Sequence, residues 1–284
     1  MRTALILASI LALGLPASAQ SCDRVCLRNM TTMYLRALLM HDPTPLPLTP
    51  NVRFTEDGDD KRLGEGFWKT ISGLGSYRQD ILDVRESTAG VHVVAMEDGK
   101  PVLLAVRLKI AGGKIAEVES TVVRSREEGM IFRPDGFDRS SVAMNITPSE
   151  ALRNPREQMI ELALRYPGGL KIGSFVKSDA QFAAGAYRLE NGQLMAGPGC
   201  TFIPGCDNIR EQRLPTLAGI KVRVAAVDEE QGIVWLRMNF GAGSVMGAEG
   251  HLSVWEMFKV YDGRITAVEA IMEIAPVGKA SGWD

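Results

Sequence analysis

An acid set into an otherwise apolar alternation is the sharpest chemical signal in this 284-residue chain. In HLSVWEMFKV, the alternation puts Leu252, Val254, Glu256, Phe258 and Val260 on one face of a predicted strand. Four are apolar and one is a carboxylic acid. If that face lines a cavity, desolvation raises the carboxyl's pKa and suits it to proton transfer. The competing reading is a solvated face, or an ion pair with an arginine such as Arg237. His251 stands beside the glycine-rich GAGSVMGAEGH, which reads as a mobile loop, and is the best acid/base partner among the three histidines. Glu56 is a third candidate, in the acidic turn Glu56-Asp57-Gly58. The same turn recurs as Glu190-Asn191-Gly192, which also fits a turn that caps its own backbone.

Arg107, Arg188 and Arg210 could orient an anionic or phenolic oxygen, or simply pair with local carboxylates. Trp255 and Tyr77 are the aromatic residues expected to line a pocket, and the other tryptophans are expected in the core. The resulting expectation is a proton-transfer pair, Glu256 with His251, and a ligand oriented by Arg210 and Tyr77. No phosphate loop, dinucleotide fingerprint, G-x-S-x-G elbow or H-E-x-x-H occurs, so the chemistry expected needs no cofactor. A net charge of −2 gives no electrostatic footprint for nucleic acid or an anionic membrane.

The positions of these side chains depend on elements that the sequence marks in order. Residues 1–19 carry one positive charge, an apolar run, Pro16 and Ala17-Ser18-Ala19, the pattern of a cleaved export signal. That predicts a periplasmic or secreted protein, soluble once cleaved. In such a compartment Cys22, Cys26, Cys200 and Cys206 are expected as two disulfides, not as a metal site, because neither pair has a nearby histidine. The pairing favoured is across the chain, stapling the N-terminus to the second half, with two local loops as the alternative.

The hairpin KIAGGKIAEVE (109–119) returns as KVYDGRITAVE (259–269). Around it, RFTEDG matches YRLENG, a helix-like piece EGFWKTISGLGSYR matches DNIREQRLPTLAG, and DVRESTAGVHVVAMEDG matches AVDEEQGIVWLRMNFG. Helical spacing precedes each copy, in 23–42 before a run of prolines and in 149–169 with Pro167 as the stop. The chain therefore divides into a leader (1–19), a first unit (20–124), a polar wrapping linker (125–148) and a second unit (149–284). Helices gathered before runs of antiparallel strands define an α+β class. Glu119 and Glu269, present in both copies, are expected to be architectural. Glu256 stands where the first copy has Val106, so the repeated core does not require an acid there.

This arrangement resembles the NTF2-like fold of the SnoaL-like group, twice in tandem, each unit a long helix on a curved antiparallel sheet that forms an open cone. CDRVCLRNMTTMYLRALLMHDPTPLPL, VRFTEDG, LGEGFWKT and ITAVEAIMEIAPVGKASGW look like a family of secreted tandem NTF2-like proteins, with Asp57 where that family's first turn usually has asparagine. Compartment, length and tandem architecture also resemble secreted enzymes that cleave lignin-derived β-aryl ethers by adding water. The resemblance implies a small aromatic substrate and face-to-face sheet association, within the chain or between subunits. The alternative is a non-catalytic module that binds a small molecule or another subunit.

Overall fold

A computed structural model describes residues 22–139, 141–217, 219–242, 250–279 and 281–283. The expected leader and most of the glycine-rich loop (243–249) lie outside the described residues.

Helix α1 (Arg24–Leu39) begins where the Asp23 carboxylate accepts the Cys26 N–H at 2.8 Å. Six strands follow, β1 (Leu48–Glu56), β2 (Asp59–Lys61), β3 (Ile71–Asp83), β4 (Thr88–Glu97), β5 (Lys100–Ala111) and β6 (Lys114–Val123). They form one sheet in the order β2-β1-β6-β5-β4-β3, with β1 and β6 parallel. After short helices α2 (Arg126–Gly129) and α3 (Ser141–Asn145) comes the long α4 (Arg156–Ile172). Then β7 (Phe182–Glu190), β8 (Gln193–Ala196), β9 (Lys221–Asp228), β10 (Ile233–Asn239), β11 (His251–Tyr261) and β12 (Arg264–Ala275) repeat the same order, β8-β7-β12-β11-β10-β9. The protein is α+β, two similar units each built on a six-stranded sheet.

Each sheet buries one face against its own helix. In the first unit Leu27, Tyr34, Leu35 and Leu38 of α1 meet Val91, Val93, Leu104, Val106 and Leu108. In the second, Met159, Leu162 and Tyr166 of α4 meet Leu236, Val254, Phe258 and Val260. Because strand side chains alternate, the opposite faces are also apolar, and these two faces form one shared core with Tyr77, Ile81, Leu103, Trp235, Trp255, Met257 and Ile271. Gly90 of β4 makes room for Trp235. A Cβ there would lie 2.3 Å from the indole Cζ3.

The docking is reciprocal. Arg24, in the first turn of α1, makes a two-pronged pair with Asp228 of the second unit at 2.6 and 3.0 Å. Arg156, in the first turn of α4, does the same with Asp83 of the first unit at 2.9 and 2.7 Å. Asp228 also accepts the Leu82 N–H and Asp83 the Val227 N–H, at 3.0 and 2.8 Å. Paired bidentate contacts of this kind fix orientation as well as contributing energy. The repeated glutamates are likewise architectural. Glu119 binds Arg107 and the second unit's Arg223, while Glu269 accepts hydroxyl protons from Tyr187 and the first unit's Tyr77.

Several sequence expectations are corrected. The linker is not merely a polar wrap, since Phe137 and Met144 from it are fully buried in the shared core. Pro167 does not stop the second helix, which starts after Pro155, runs through Pro167 and ends at Gly173 with φ 69°. Burial of Tyr166, Pro167, Gly169 and Leu170 offsets the backbone hydrogen bond that the proline cannot make. The two helix-like pieces shrink to single turns, Gly66–Lys69 and Ile209–Glu211. The remainder of the first joins β3, where pairing with β4 satisfies its backbone. The disulfides are local, Cys22–Cys26 and Cys200–Cys206, with Cα separations of 5.2 and 5.5 Å. The chain entering α1 through the Asp23 cap brings Cys22 within bridging range of Cys26, and no staple joins the N-terminus to the second half. Among the described residues no helix is long and apolar enough to cross a membrane.

Candidate functional site

The alternation placed Glu256 correctly on the helix-facing side of β11, and the fold seals it there. Only 2% of the residue is exposed. Burial, then the charge of Glu190, pushes its carboxyl up to about 8, against the pull of Arg188 and a hydrogen bond with Tyr166. Arg188 donates to the Tyr166 hydroxyl at 3.2 Å and pairs with Glu190 at 2.9 Å. Among the described residues the Glu256 Oε2 atom has no hydrogen-bond partner.

Strand register extends the contrast between the copies. Val106 lies opposite Ser120 as Glu256 lies opposite Ala270, and Phe54 opposite Val118 as Arg188 opposite Val268. The first unit therefore fills with Phe54 and Val106 the places where the second holds Arg188 and Glu256. The scaffold does not need these charges. Glu256 nevertheless does not line the surface clefts at Arg223, Arg124, Arg62 and Arg210.

His251 does not join it. Five residues along one strand put the two side chains on opposite faces, about 16 Å apart along the chain. The His251 ring meets Asn239 Nδ2 at 2.9 Å, and burial together with the Arg237 charge lowers its pKa. Arg237 also sits on that other face and is not the partner of Glu256. Tyr77 and Trp255, expected in a pocket, are packed in the core between the sheets. Trp255 stacks on Trp235 with centroids 4.3 Å apart, and Tyr77 tilts against Phe137. Glu56 is occupied locally, accepting the Phe67 N–H at 3.0 Å and the Lys61 ammonium at 2.8 Å. Arg210 is exposed on the rim of a polar surface cleft with Phe175, Asn208 and Arg264, remote in the fold from Tyr77. Arg107 is buried and paired with Glu117 and Glu119.

A second polar concentration lies where the units meet. Asp57, in the left-handed turn after β1 (φ 53°), accepts the Val122 N–H at 2.8 Å. Burial, then the charge of Glu273 on β12, pushes Asp57 up to about 8. Burial also raises Glu273, opposed by Arg237 and by a hydrogen bond from Ser253 at 2.9 Å. The equivalent turn residue, Asn191, accepts the Met272 N–H and donates to the carbonyls of Gly129, Ile131 and Met272. An aspartic acid can act as donor in that place only when protonated.

Two clefts flank Glu273. One, about 180 Å³, is lined by Asp57, Arg124, Glu273 and Lys279. The other, about 320 Å³, is lined by Lys221, Arg223, Arg237, Ser253 and Trp283 among others. Arg237, 5% exposed, donates to Ser253 at 2.6 Å and, among the described residues, to no hydrogen-bond acceptor through Nη1. Trp283 donates to Thr55 at 2.7 Å, and the Arg53 and Arg107 guanidiniums lie 4.2 and 5.0 Å from its ring centroid. The sequence drew attention to Asp57 only as part of the acidic turn, beside Glu56, and not at all to Glu273. The only clue was that Asp57 replaces an asparagine-type turn residue, since Glu273 reaches it only through docking of the two units. Among the described residues no cluster of His, Cys, Asp and Glu could hold a metal.

Residues 152–272, from just before α4 into β12 and under half of the chain, match a family described as "Domain of unknown function (DUF8021)". No curated protein matches. Among solved structures, the chain is similar to one titled "Crystal structure of a de novo designed protein with curved beta-sheet". The identity is 21% and the TM-score 0.30, over 35% of this chain and 87% of that one. A likeness of that size carries no argument about function.

Proposed function

We propose that the chain is an exported, tandem NTF2-like enzyme that performs acid/base chemistry on a small aromatic molecule, with its reacting groups at the seam between the units. The repeated strand order with a helix on one face supports the NTF2-like reading. Two local disulfides support export to an oxidising compartment. The observation that carries the enzymatic reading is the meeting of Asp57 from one unit with Glu273 from the other, between two clefts and beside a guanidinium cluster. Carboxyls whose surroundings hold one protonated beside one ionised can divide acid and base roles. In hydrolysis of an aryl ether, Glu273 would take a proton from water as its oxygen bonds to the alkyl carbon. Asp57 would give a proton to the departing phenolic oxygen, and the products are an alcohol and a phenol.

The assay is phenol release from a panel of lignin-type β-aryl ethers. Glu273→Gln is expected to lower turnover at least 100-fold, the usual scale for loss of a general acid or base. Unchanged turnover in that variant would dismiss the seam as the reacting centre. The cleft beside Arg237 also favours a second reading, a binding module without catalysis. That reading gains if no ether turns over while an aromatic ligand raises the melting temperature.

A further inference from the structure

Three arginines at the seam share their carboxylate partners unevenly. Arg107, Arg223 and Arg237 converge on Glu119, at 3.0, 2.8 and 3.5 Å respectively. Arg107 has a second carboxylate, Glu117 at 2.7 Å. Arg237 has only the more distant Glu273, at 3.6 Å. A guanidinium 95% removed from solvent needs a full counter-charge or a full set of acceptors. Arg237 lacks the full set of acceptors, since Nε and Nη1 make no hydrogen bond among the described residues, and Arg223 Nε also makes none. Both residues line the 320 Å³ cleft, whose rim carries the exposed Lys221. The cleft thus sets guanidiniums beside the indole of Trp283.

We propose that this cleft binds a small aromatic carboxylate, its anionic head on Arg237, Arg223 and Ser253 and its ring beside Trp283. A planar carboxylate matches the two-pronged geometry of a guanidinium. The cleft volume is at the lower end of the range for small-molecule sites, so it suits a single ring with short substituents. This deepens the seam reading by assigning its substrate an acid group, and it concerns binding alone.

The test titrates the full exported chain with benzoate and, separately, with the uncharged benzamide of nearly the same shape, using calorimetry and thermal unfolding. Benzoate is expected to bind saturably and raise the melting temperature, with benzamide at least 10-fold weaker. Arg237→Gln should weaken benzoate at least 10-fold. Because that buried variant risks misfolding, Lys221→Gln provides the surface control. It should weaken benzoate about threefold at low salt, with the unliganded melting temperature unchanged. Equal binding of the two compounds, no benzoate binding, or a Lys221→Gln variant of unaltered affinity would each overturn the proposal. None of these outcomes bears on phenol release by Glu273, so failure of the subsite and failure of the proton-transfer reading are separately visible.

Discussion

Replacing Glu256 with glutamine removes a titration from the interior while keeping the shape. The carboxyl has an ordinary value of 4.5 in an open chain and is pushed up to about 8 in the fold, chiefly by burial. The folded state therefore keeps a proton that the unfolded state has already lost, and stability falls as pH rises between those two values. The linkage relation gives a penalty of about 1 kcal/mol at pH 5, about 3 at pH 7 and about 4 at pH 8. Below about 4.5 the penalty vanishes. Asp57 titrates in the same window, and Lys259 adds its own dependence from about pH 8 upward. The difference between wild type and Glu256→Gln isolates the one term, since those groups respond alike in both proteins. Urea unfolding of both, disulfides intact, at pH 5 and pH 8 is the assay. The variant should gain about 3 kcal/mol relative to wild type between the two pH values. A relative change under about 1 kcal/mol would show that Glu256 is ionised and well compensated at neutral pH, and would refute the argument from burial.

Two further outcomes test the docking of the units. Gly90→Ala forces a methyl group against the Trp235 ring, where a Cβ would approach to 2.3 Å, and should cost about 1–3 kcal/mol in chemical denaturation. A cost near zero would mean that Trp235 does not occupy that place. Proteolytic mapping without reductant should find Cys22 joined to Cys26 and Cys200 to Cys206. Replacing both members of the second pair by alanine should cost about 2 kcal/mol on loop-closure grounds, and a fragment crosslinked between the halves would contradict the local pairing.

Much of the scaffold is legible in the residues themselves. The recurring hairpin at Lys109 and Lys259 announces two units because a packed sheet repeats its lysine, glycine and glutamate for the same local reasons. Lys109 and Lys259 each donate to a backbone carbonyl of the preceding turn, those of Glu86 and Gln231. Period-two alternation was enough to put Glu256 on the helix-facing side of β11, because the face of a strand residue is set by backbone geometry alone. The same rule, applied to His251, already forbids their pairing. The contrast between Val106 and Glu256 was readable as well, and strand register adds Phe54 and Arg188 to it.

Only the tertiary structure decided what lies across the seam. No local pattern shows that Asp83 and Asp228 trade arginines between units, that Gly90 yields space to Trp235, or that Asp57 meets Glu273. These contacts join residues more than 70 positions apart, and their energies depend on the relative placement of two finished surfaces. Nor does the sequence tell a cavity-lining carboxyl from a sealed one. Alternation fixes the side of the sheet to which Glu256 points. Whether water reaches it depends on how Tyr166 and Arg188 close around it, and that follows from three-dimensional packing.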